Sequence, residues 1–260
     1  MIKKLINCLL IMLVLLTACS VKTSHYQIPT MPSLILWVWE EPQQLPINPK
    51  TTGVAILSAS IRITPDRLIF YPRQQSVHLP ANTYQIATIH IDKPPFKIRL
   101  STSLAHYLAT RISSIYRNGS FQQLQIDFDA LPSEQDFYQK LLIYLREQLG
   151  QQTIISITAL ASWCTDNRWL EKVKLPINYV VPMFFSLDRD AKRRAKFIEN
   201  FPHQRHNLPD YCQGSIGLAT YENWHFPFST SDSVFVYTKG SWDAKKLAIA
   251  QQLHATFFQN

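Results

Sequence analysis

Six glycines in 260 residues leave little material for a glycine-rich phosphate loop. Such loops place glycine where the backbone must approach a phosphate closely, so their absence argues against a nucleotide-binding open sheet. The chain also lacks a Walker loop, H-E-x-x-H, G-x-S-x-G and C-x-x-C. That removes the P-loop, zincin, nucleophile-elbow and redox-dithiol classes. His203 and His206 are three residues apart in a proline-flanked loop, a spacing that carries little weight for a metal. Neither a metal nor a cofactor is therefore expected. Acidic residues are outnumbered, 18 against 26 Lys and Arg, which gives a formal charge of +8. What is plentiful is apolar: 46% of residues are hydrophobic and 12% aromatic, without a low-complexity tract or short repeat. That composition suits a folded domain.

The first residues, MIKKLINCLLIMLVLLTACS, join two lysines to an apolar stretch and then to small residues and a cysteine. This is the pattern of a secretory signal, too short and wrongly flanked for a stable membrane span. Leu16-Thr17-Ala18-Cys19 resembles the lipobox of bacterial lipoproteins, which implies cleavage before Cys19 and its acylation (palmitate among the chains). Ser20 rather than aspartate after it resembles sorting to the periplasmic face of the outer membrane. The expected organisation is a signal peptide over 1–18, a lipidated cysteine and polar tether over 19–32, and one domain over 33–260. Removal of Lys3 and Lys4 lowers the charge to +6. For an exported basic protein the expected partners are the membrane, through Cys19, and a polysaccharide or other glycan; nucleic acid is not expected. The run RDAKRRAK, Arg189 to Lys196, reads as a solvated helix face, and a monomer is expected.

Eight apolar runs recur along the mature chain. SLILWVWE (Ser33 to Glu40) and GVAILSASIRI (Gly53 to Ile63) read as strands, with RLIFY and SVHL after them as a small hairpin excursion. YQIATIHI (Tyr84 to Ile91) alternates, Ala87, Ile89 and Ile91 on one face and Ile86, Thr88 and His90 on the other. A helix follows from Ser101 to Arg117, stopped by Asn118-Gly119, and then the strand LQIDFDA. The next helix is expected to start from a Ser133/Asp136 capping box, to bury Phe137, Leu141 and Leu145, and to end at Gly150. The remaining strands are IISITALAS from Ile154, INYVVPMFFSL from Ile177, SIGLATYE from Ser215 and SVFVYT from Ser233. Further helices are expected from about Ala191 to Phe201 and from Trp242 to Phe257. Strands alternating with helices imply parallel pairing and right-handed crossovers. The expected fold is α/β, an irregular (β/α)8 TIM-like barrel, with an open doubly wound sheet as the alternative.

Within LQIDFDA, alternation gives Leu124, Ile126, Phe128 and Ala130 to the helix layer and turns Gln125, Asp127 and Asp129 inward. Inward carboxylates are expensive to desolvate, and these lie at the carboxyl end of a barrel strand, where barrel enzymes hold catalytic groups. Asp127 and Asp129 are therefore candidate catalytic residues; the structural alternative is capping of the Ser133 helix or pairing with Arg62 or Arg99. Glu40 and Glu222 end strands at the same face and are candidate partners for acid–base work. Trp39, His90, Trp163 and Tyr237, also near strand ends, are candidate substrate-binding groups, with core packing as the alternative for the aromatics. Cys164 and Cys212 remain as a possible disulfide, worth about 4 kcal/mol on a chain-entropy estimate. Two unpaired thiols stay open as the alternative, because Cys164 follows a strand and Cys212 precedes one, which sets them at opposite ends of a barrel.

W-V-W-E at Trp37 to Glu40, Q-I-D-F-D at Gln125 to Asp129, T-A-L-A-S-W-C at Thr158 to Cys164, V-P-M-F at Val181 to Phe184 and C-Q-G-S-I-G-L from Cys212 resemble the markers of an uncharacterised bacterial family, domain of unknown function 3142. The resemblance implies a barrel-like envelope protein and supplies no catalytic residues. More distantly, D-F-D is similar to the D-x-D core of chitinase-like (β/α)8 glycoside hydrolases, whose pattern continues to a glutamate acid. Leu131 stands at that glutamate's position and Glu134 falls at the helix start, so substrate-assisted chemistry is not implied. The resulting expectation is a barrel pocket that binds carbohydrate and acts as a glycoside hydrolase, Asp129 pairing with another carboxylate. The alternative is a non-catalytic envelope binding or scaffold lipoprotein.

Overall fold

The computed structural model describes residues 30–39, 41–94, 98–165, 169–185, 209–222 and 232–258. Its strands, in chain order, are β1 (Leu34–Val38), β2 (Gln43–Gln44), β3 (Thr52–Ile63), β4 (Leu68–Pro72), β5 (Val77–His78), β6 (Gln85–Asp92), β7 (Gln123–Asp127), β8 (Ile154–Leu160), β9 (Tyr179–Met183), β10 (Ser215–Ala219) and β11 (Ser233–Tyr237). Eight of them close a parallel barrel in the order β1, β3, β6, β7, β8, β9, β10, β11 and back to β1. Helices α1 (Thr102–Arg117), α2 (Gln135–Leu149), α3 (Ala161–Thr165), α4 (Trp169–Lys172) and α5 (Ala244–Phe257) lie along the connections. The fold is thus the TIM-like α/β barrel that the strand rhythm predicts, irregular where no helix follows β1 or β3 among the described residues.

The excursion after β3 differs from the sequence expectation. β4 does not pair with the SVHL segment but turns back antiparallel on β3, while β5 pairs with β2 in a separate two-stranded sheet. Arg73 accounts for this arrangement: its guanidinium donates to the carbonyls of Trp39 and Glu41, fastening the segment after β4 to the end of β1. A fixed charge fork satisfying backbone carbonyls outweighs any local hairpin preference between the two runs.

Two apolar layers share the strands by alternation. Leu124, Ile126 and Phe128 of the β7 segment join Ala87, Ile89, Ile155, Ile157 and the helix residues Leu108, Ile112, Leu141 and Leu145 outside the barrel. Ile35, Trp37, Ala55, Ile86, Val181 and Phe235 fill its interior. Each fully buried aliphatic side chain is worth roughly 1.5–3 kcal/mol, so the outer layer holds the helices on. In β3 the register slips between Leu57 and Ala59, a bulge that moves Ala59, Ile61 and Ile63 to the outer layer and turns Ser60 and Arg62 to the barrel mouth.

Helix entries follow local chemistry. Ser101 caps α1 by accepting from the Leu104 amide at 3.1 Å, and Asp243 caps α5 by accepting from the Lys246 amide at 2.8 Å. The Ser133/Asp136 box is not what starts α2. A 3-10 turn, Pro132–Glu134, precedes it, and the Glu134 carboxylate reaches back to accept from the Leu131 amide at 2.8 Å. Pro132 explains the change, because a proline at the first position suits a tight entry turn. Gly150 ends α2 with φ +77°, as expected of a glycine stop. The helix expected near Ala191 to Phe201 lies outside the described residues.

Cys164 and Cys212 are bridged, with Cα atoms 6.0 Å apart. The expected obstacle dissolves because both cysteines leave the strand ends for the layer outside the barrel. α3 begins at Ala161 directly after β8 and carries Cys164 into the outer apolar layer, where Cys212, in a 3-10 turn before β10, is also buried.

Candidate active site at the barrel mouth

The inward face of β7 is entirely polar: Gln123, Gln125 and Asp127, all buried. Polar groups inside a barrel persist only when hydrogen-bonded, and these are. Gln125 Oε1 accepts from Trp37 Nε1 at 2.8 Å and from the Thr88 hydroxyl at 3.3 Å. Gln123 donates to Ser156 Oγ at 3.0 Å and to the Tyr179 hydroxyl, and accepts from the Tyr84 hydroxyl at 3.3 Å. Burial pushes the Tyr84 phenol up to about 12, with a smaller contribution from Tyr116, so it stays a donor. This glutamine ladder plugs the barrel below the mouth. The sequence pattern Q-x-Q-x-D, three polar residues at strand spacing, was the available signal for it.

At the top of the same ladder, Asp127 accepts from His90 Nδ1 at 2.8 Å through Oδ2 and from Thr158 Oγ1 at 2.6 Å through Oδ1. Strand register produces this triplet, since β6 and β8 flank β7 and His90 is the direct partner of Asp127. Burial by itself lowers the pKa of His90, but the hydrogen bond and charge of Asp127, helped by Asp92 and Asp129, raise it above the ordinary value.

Asp129 lies two residues beyond the end of β7, after which the chain turns tightly, the Ala130 amide bonding to the Phe128 carbonyl at 2.8 Å. Continued alternation would have aimed it down the barrel; the turn leaves it exposed at the rim instead. Partial desolvation by its surroundings, and then the charge of Asp127, push its carboxyl up to about 6, against the opposing pull of His90 and Lys93. Neither aspartate pairs with Arg62 or Arg99 among the described residues. Arg62 is bound to Asp92 at 2.9 Å, and Lys93 to Glu134 at 3.2 Å.

A cavity of about 630 Å³ opens beside this group, lined by Trp39, Glu41, Ser60, Arg62, Tyr71, His90, Asp92, Tyr237, Thr238 and Gly240. Trp39 packs against His90 with ring centres 5.3 Å apart and edge-on against Tyr237 at 5.9 Å. Phe185 stacks on Tyr237 with ring centres 5.4 Å apart. The structure thus brings together Trp39, His90, Asp127 and Tyr237, with Asp129 within electrostatic reach.

The other candidates stand elsewhere. Trp163 is 3% exposed in the outer layer, edge-on to Tyr138 at 6.4 Å, and does not line the mouth. The reason is that α3 begins three residues too early for strand geometry to reach it. Glu222 is half-buried in the turn after β10, its amide on the Ala219 carbonyl at 3.3 Å, and is not among the described residues lining the cavity. Glu40, Cys19, His203 and His206 lie outside the described residues. Sequence reasoning missed Thr158, Arg62 as a partner of Asp92, and the aromatic contribution of Tyr71.

Among the described residues no group of three or more His, Cys, Asp or Glu is placed to hold a metal ion, and no helix is long and apolar enough to cross a membrane. Chemically, the mouth offers a histidine whose pKa its carboxylate neighbours raise and, within electrostatic reach, a carboxyl pushed up to about 6, beside aromatic faces and a charge pair. No protein-family model matches the chain, and no curated protein is matched by its sequence.

Proposed function

We propose that the protein is an exported lipoprotein, anchored through Cys19, whose barrel mouth binds a carbohydrate and hydrolyses a glycosidic bond, Asp129 giving the proton to the leaving oxygen. The observation that carries this reading is the mouth itself. A cavity of about 630 Å³ walled by Trp39, Tyr71 and Tyr237 also carries polar and charged groups, and Asp129, a carboxyl pushed up to about 6, lies outside its lining but within electrostatic reach of His90 on its wall. Aromatic faces suit the apolar faces of sugar rings, polar groups at the wall suit hydroxyls, and a carboxyl protonated near neutral pH suits general-acid work. The test is a panel of glycans and peptidoglycan fragments, scored for binding and turnover with the full-length chain and with Asp129→Asn. Turnover lost in the variant with binding retained supports the reading; turnover unchanged removes Asp129 from it.

A second reading, a non-catalytic envelope binding protein, is favoured by one observation. Leu131, at the position of the glutamate acid in the similar hydrolases, is 52% exposed at the rim, and the nearest glutamate in sequence, Glu134, is engaged by Lys93 and the Leu131 amide. Equal binding without turnover in both proteins is its expected outcome.

A further inference from the structure

Asp127 is engaged through both oxygens, by His90 from one neighbouring strand and by Thr158 from the other. A carboxylate only accepts, so the proton of the contact with His90 is carried by Nδ1. In the neutral ring the lone pair is then on Nε2, which lies on a different edge of the imidazole and cannot also face Asp127. Among the described residues nothing hydrogen-bonds that nitrogen, and the ring lines the cavity against Trp39.

We propose that Asp127 and His90 act as one unit, in which His90 Nε2 is the proton acceptor of the mouth and Asp127 is a positioning residue that fixes the tautomer and orientation of the ring. The inference rests on the hydrolase reading for its substrate alone. In that setting His90 Nε2 takes a proton from water as the water oxygen bonds to the anomeric carbon. The bond from that carbon to the leaving oxygen breaks, and the Asp129 carboxyl proton passes to the leaving oxygen. The two groups then exchange their gained and lost proton through solvent. Buried and held through both oxygens by His90 and Thr158, Asp127 serves the ring rather than the substrate, and His90 supplies a base on the cavity wall, where Glu222 is not among the described lining residues.

The charged groups around His90 are Asp127 from β7, Asp129 from the turn after it, and Asp92 from β6 itself, with Arg62 of β3 bound to Asp92 and Glu41 on the shared cavity wall. The carboxylates favour the imidazolium that forms on proton acceptance. With Asp129 near 6 and His90 above its ordinary value, protonated Asp129 with neutral His90 is the minor arrangement of the singly protonated pair. Its population peaks between the two titrations, which gives a bell-shaped rate profile.

The deciding experiment is nitrogen-15 NMR of the histidine rings in the full-length chain, with His90 assigned through His90→Gln. The expected result is a neutral His90 protonated on Nδ1, and a titration midpoint that falls in Asp127→Asn, with mixing of the two tautomers. Thr158→Val, which keeps the side-chain volume and removes only the donor to Asp127, shifts the midpoint less and serves if Asp127→Asn does not fold by near-UV circular dichroism. A neutral ring protonated on Nε2, or a midpoint unmoved in a folded Asp127→Asn, overturns the proposal. On any glycan that is turned over, His90→Gln lowers kcat by about 10²–10⁴-fold with KM held, and an unchanged kcat also overturns it. If no glycan is turned over while the Nδ1–H signature is present, the hydrolase reading falls and the dyad stands.

Discussion

Trp37 on β1 donates its indole N–H to Gln125 Oε1 on β7, 2.8 Å away across the barrel interior. One amide oxygen thereby serves two donors, the other being Thr88, and the pair locks opposite walls of the barrel below the mouth. Gln125→Leu keeps the volume but orphans the indole N–H and the Thr88 hydroxyl in a dry interior. Leaving a buried donor unsatisfied costs about 1–3 kcal/mol, so the urea midpoint should fall accordingly. A change below about 0.5 kcal/mol, the range of a neutral surface substitution, would show that the pair is not locked.

Gly217 is the space that Trp37 occupies. A Cβ at that position would lie 2.8 Å from Trp37 Cη2 and 3.1 Å from the Pro182 carbonyl oxygen. The indole cannot step aside without giving up Gln125, so Gly217→Ala is expected to cost about 1–3 kcal/mol by overpacking. Because both substitutions act through the same ring, Gly217→Ala and Gln125→Leu should be less than additive in a double-variant cycle. Strict additivity in denaturant unfolding would separate the two effects.

Much of this was legible in the sequence, and the parts that were not share a cause. Alternation in LQIDFDA correctly assigned Leu124, Ile126 and Phe128 to the helix layer and Gln125 and Asp127 to the interior. The eight strands were legible because each is an apolar run bounded by breakers. Alternation failed where strands end. Asp129 and Trp163 were placed by extending strand geometry past Asp127 and Leu160, whereas a tight turn and a helix begin there. Pairings between residues distant in sequence, such as Arg73 with the end of β1, have no local signal at all. The bridge between Cys164 and Cys212 was left open for the same reason, since only the position of α3 decides it.

The bridge closes a segment of 48 residues. On the chain-entropy model its removal costs about 4 kcal/mol. Cys164→Ala with Cys212→Ala should lower the unfolding free energy by that order, and reduction of the parent protein should reproduce the loss. A loss under about 1 kcal/mol would mean that the outer layer holds these segments without the bond, the lower end of the measured range for disulfides being near zero.

Asp129 sets a pH dependence whose sign is fixed by the direction of its shift. Its folded pKa, about 6, lies above the ordinary 3.8, so the folded state favours the protonated form. Stability is therefore greatest below pH 4 as far as this group is concerned, and falls as pH rises from about 4 through 6. The group is exposed at the rim, so solvent screening reduces the effect to about 1 kcal/mol. Asp129→Asn should be more stable than the parent at pH 7.5 and lose that advantage at pH 4. An advantage that persists at pH 4, or never appears, would contradict a raised carboxyl.

Trp39 and Trp163 were equivalent candidates in the sequence and are separated by the fold. Trp39 faces the mouth cavity between His90 and Tyr237, whereas Trp163 is 3% exposed among the helices against Tyr138. Trp163→Ala should cost about 3–5 kcal/mol of stability through the cavity it leaves, at a position remote from any bound glycan. Trp39→Ala removes a half-buried aromatic wall from an open cavity, so its cost in stability should be smaller than that of Trp163→Ala. Its effect should instead appear in glycan affinity, about tenfold weaker for a lost stacking contact worth about 1.4 kcal/mol. Calorimetric melting and glycan titration of both variants read the two quantities side by side. If Trp39→Ala binds glycan as the parent does, the aromatic wall is packing rather than platform, and the ligand contacts must be sought among Arg62, Asp92 and Tyr71 instead.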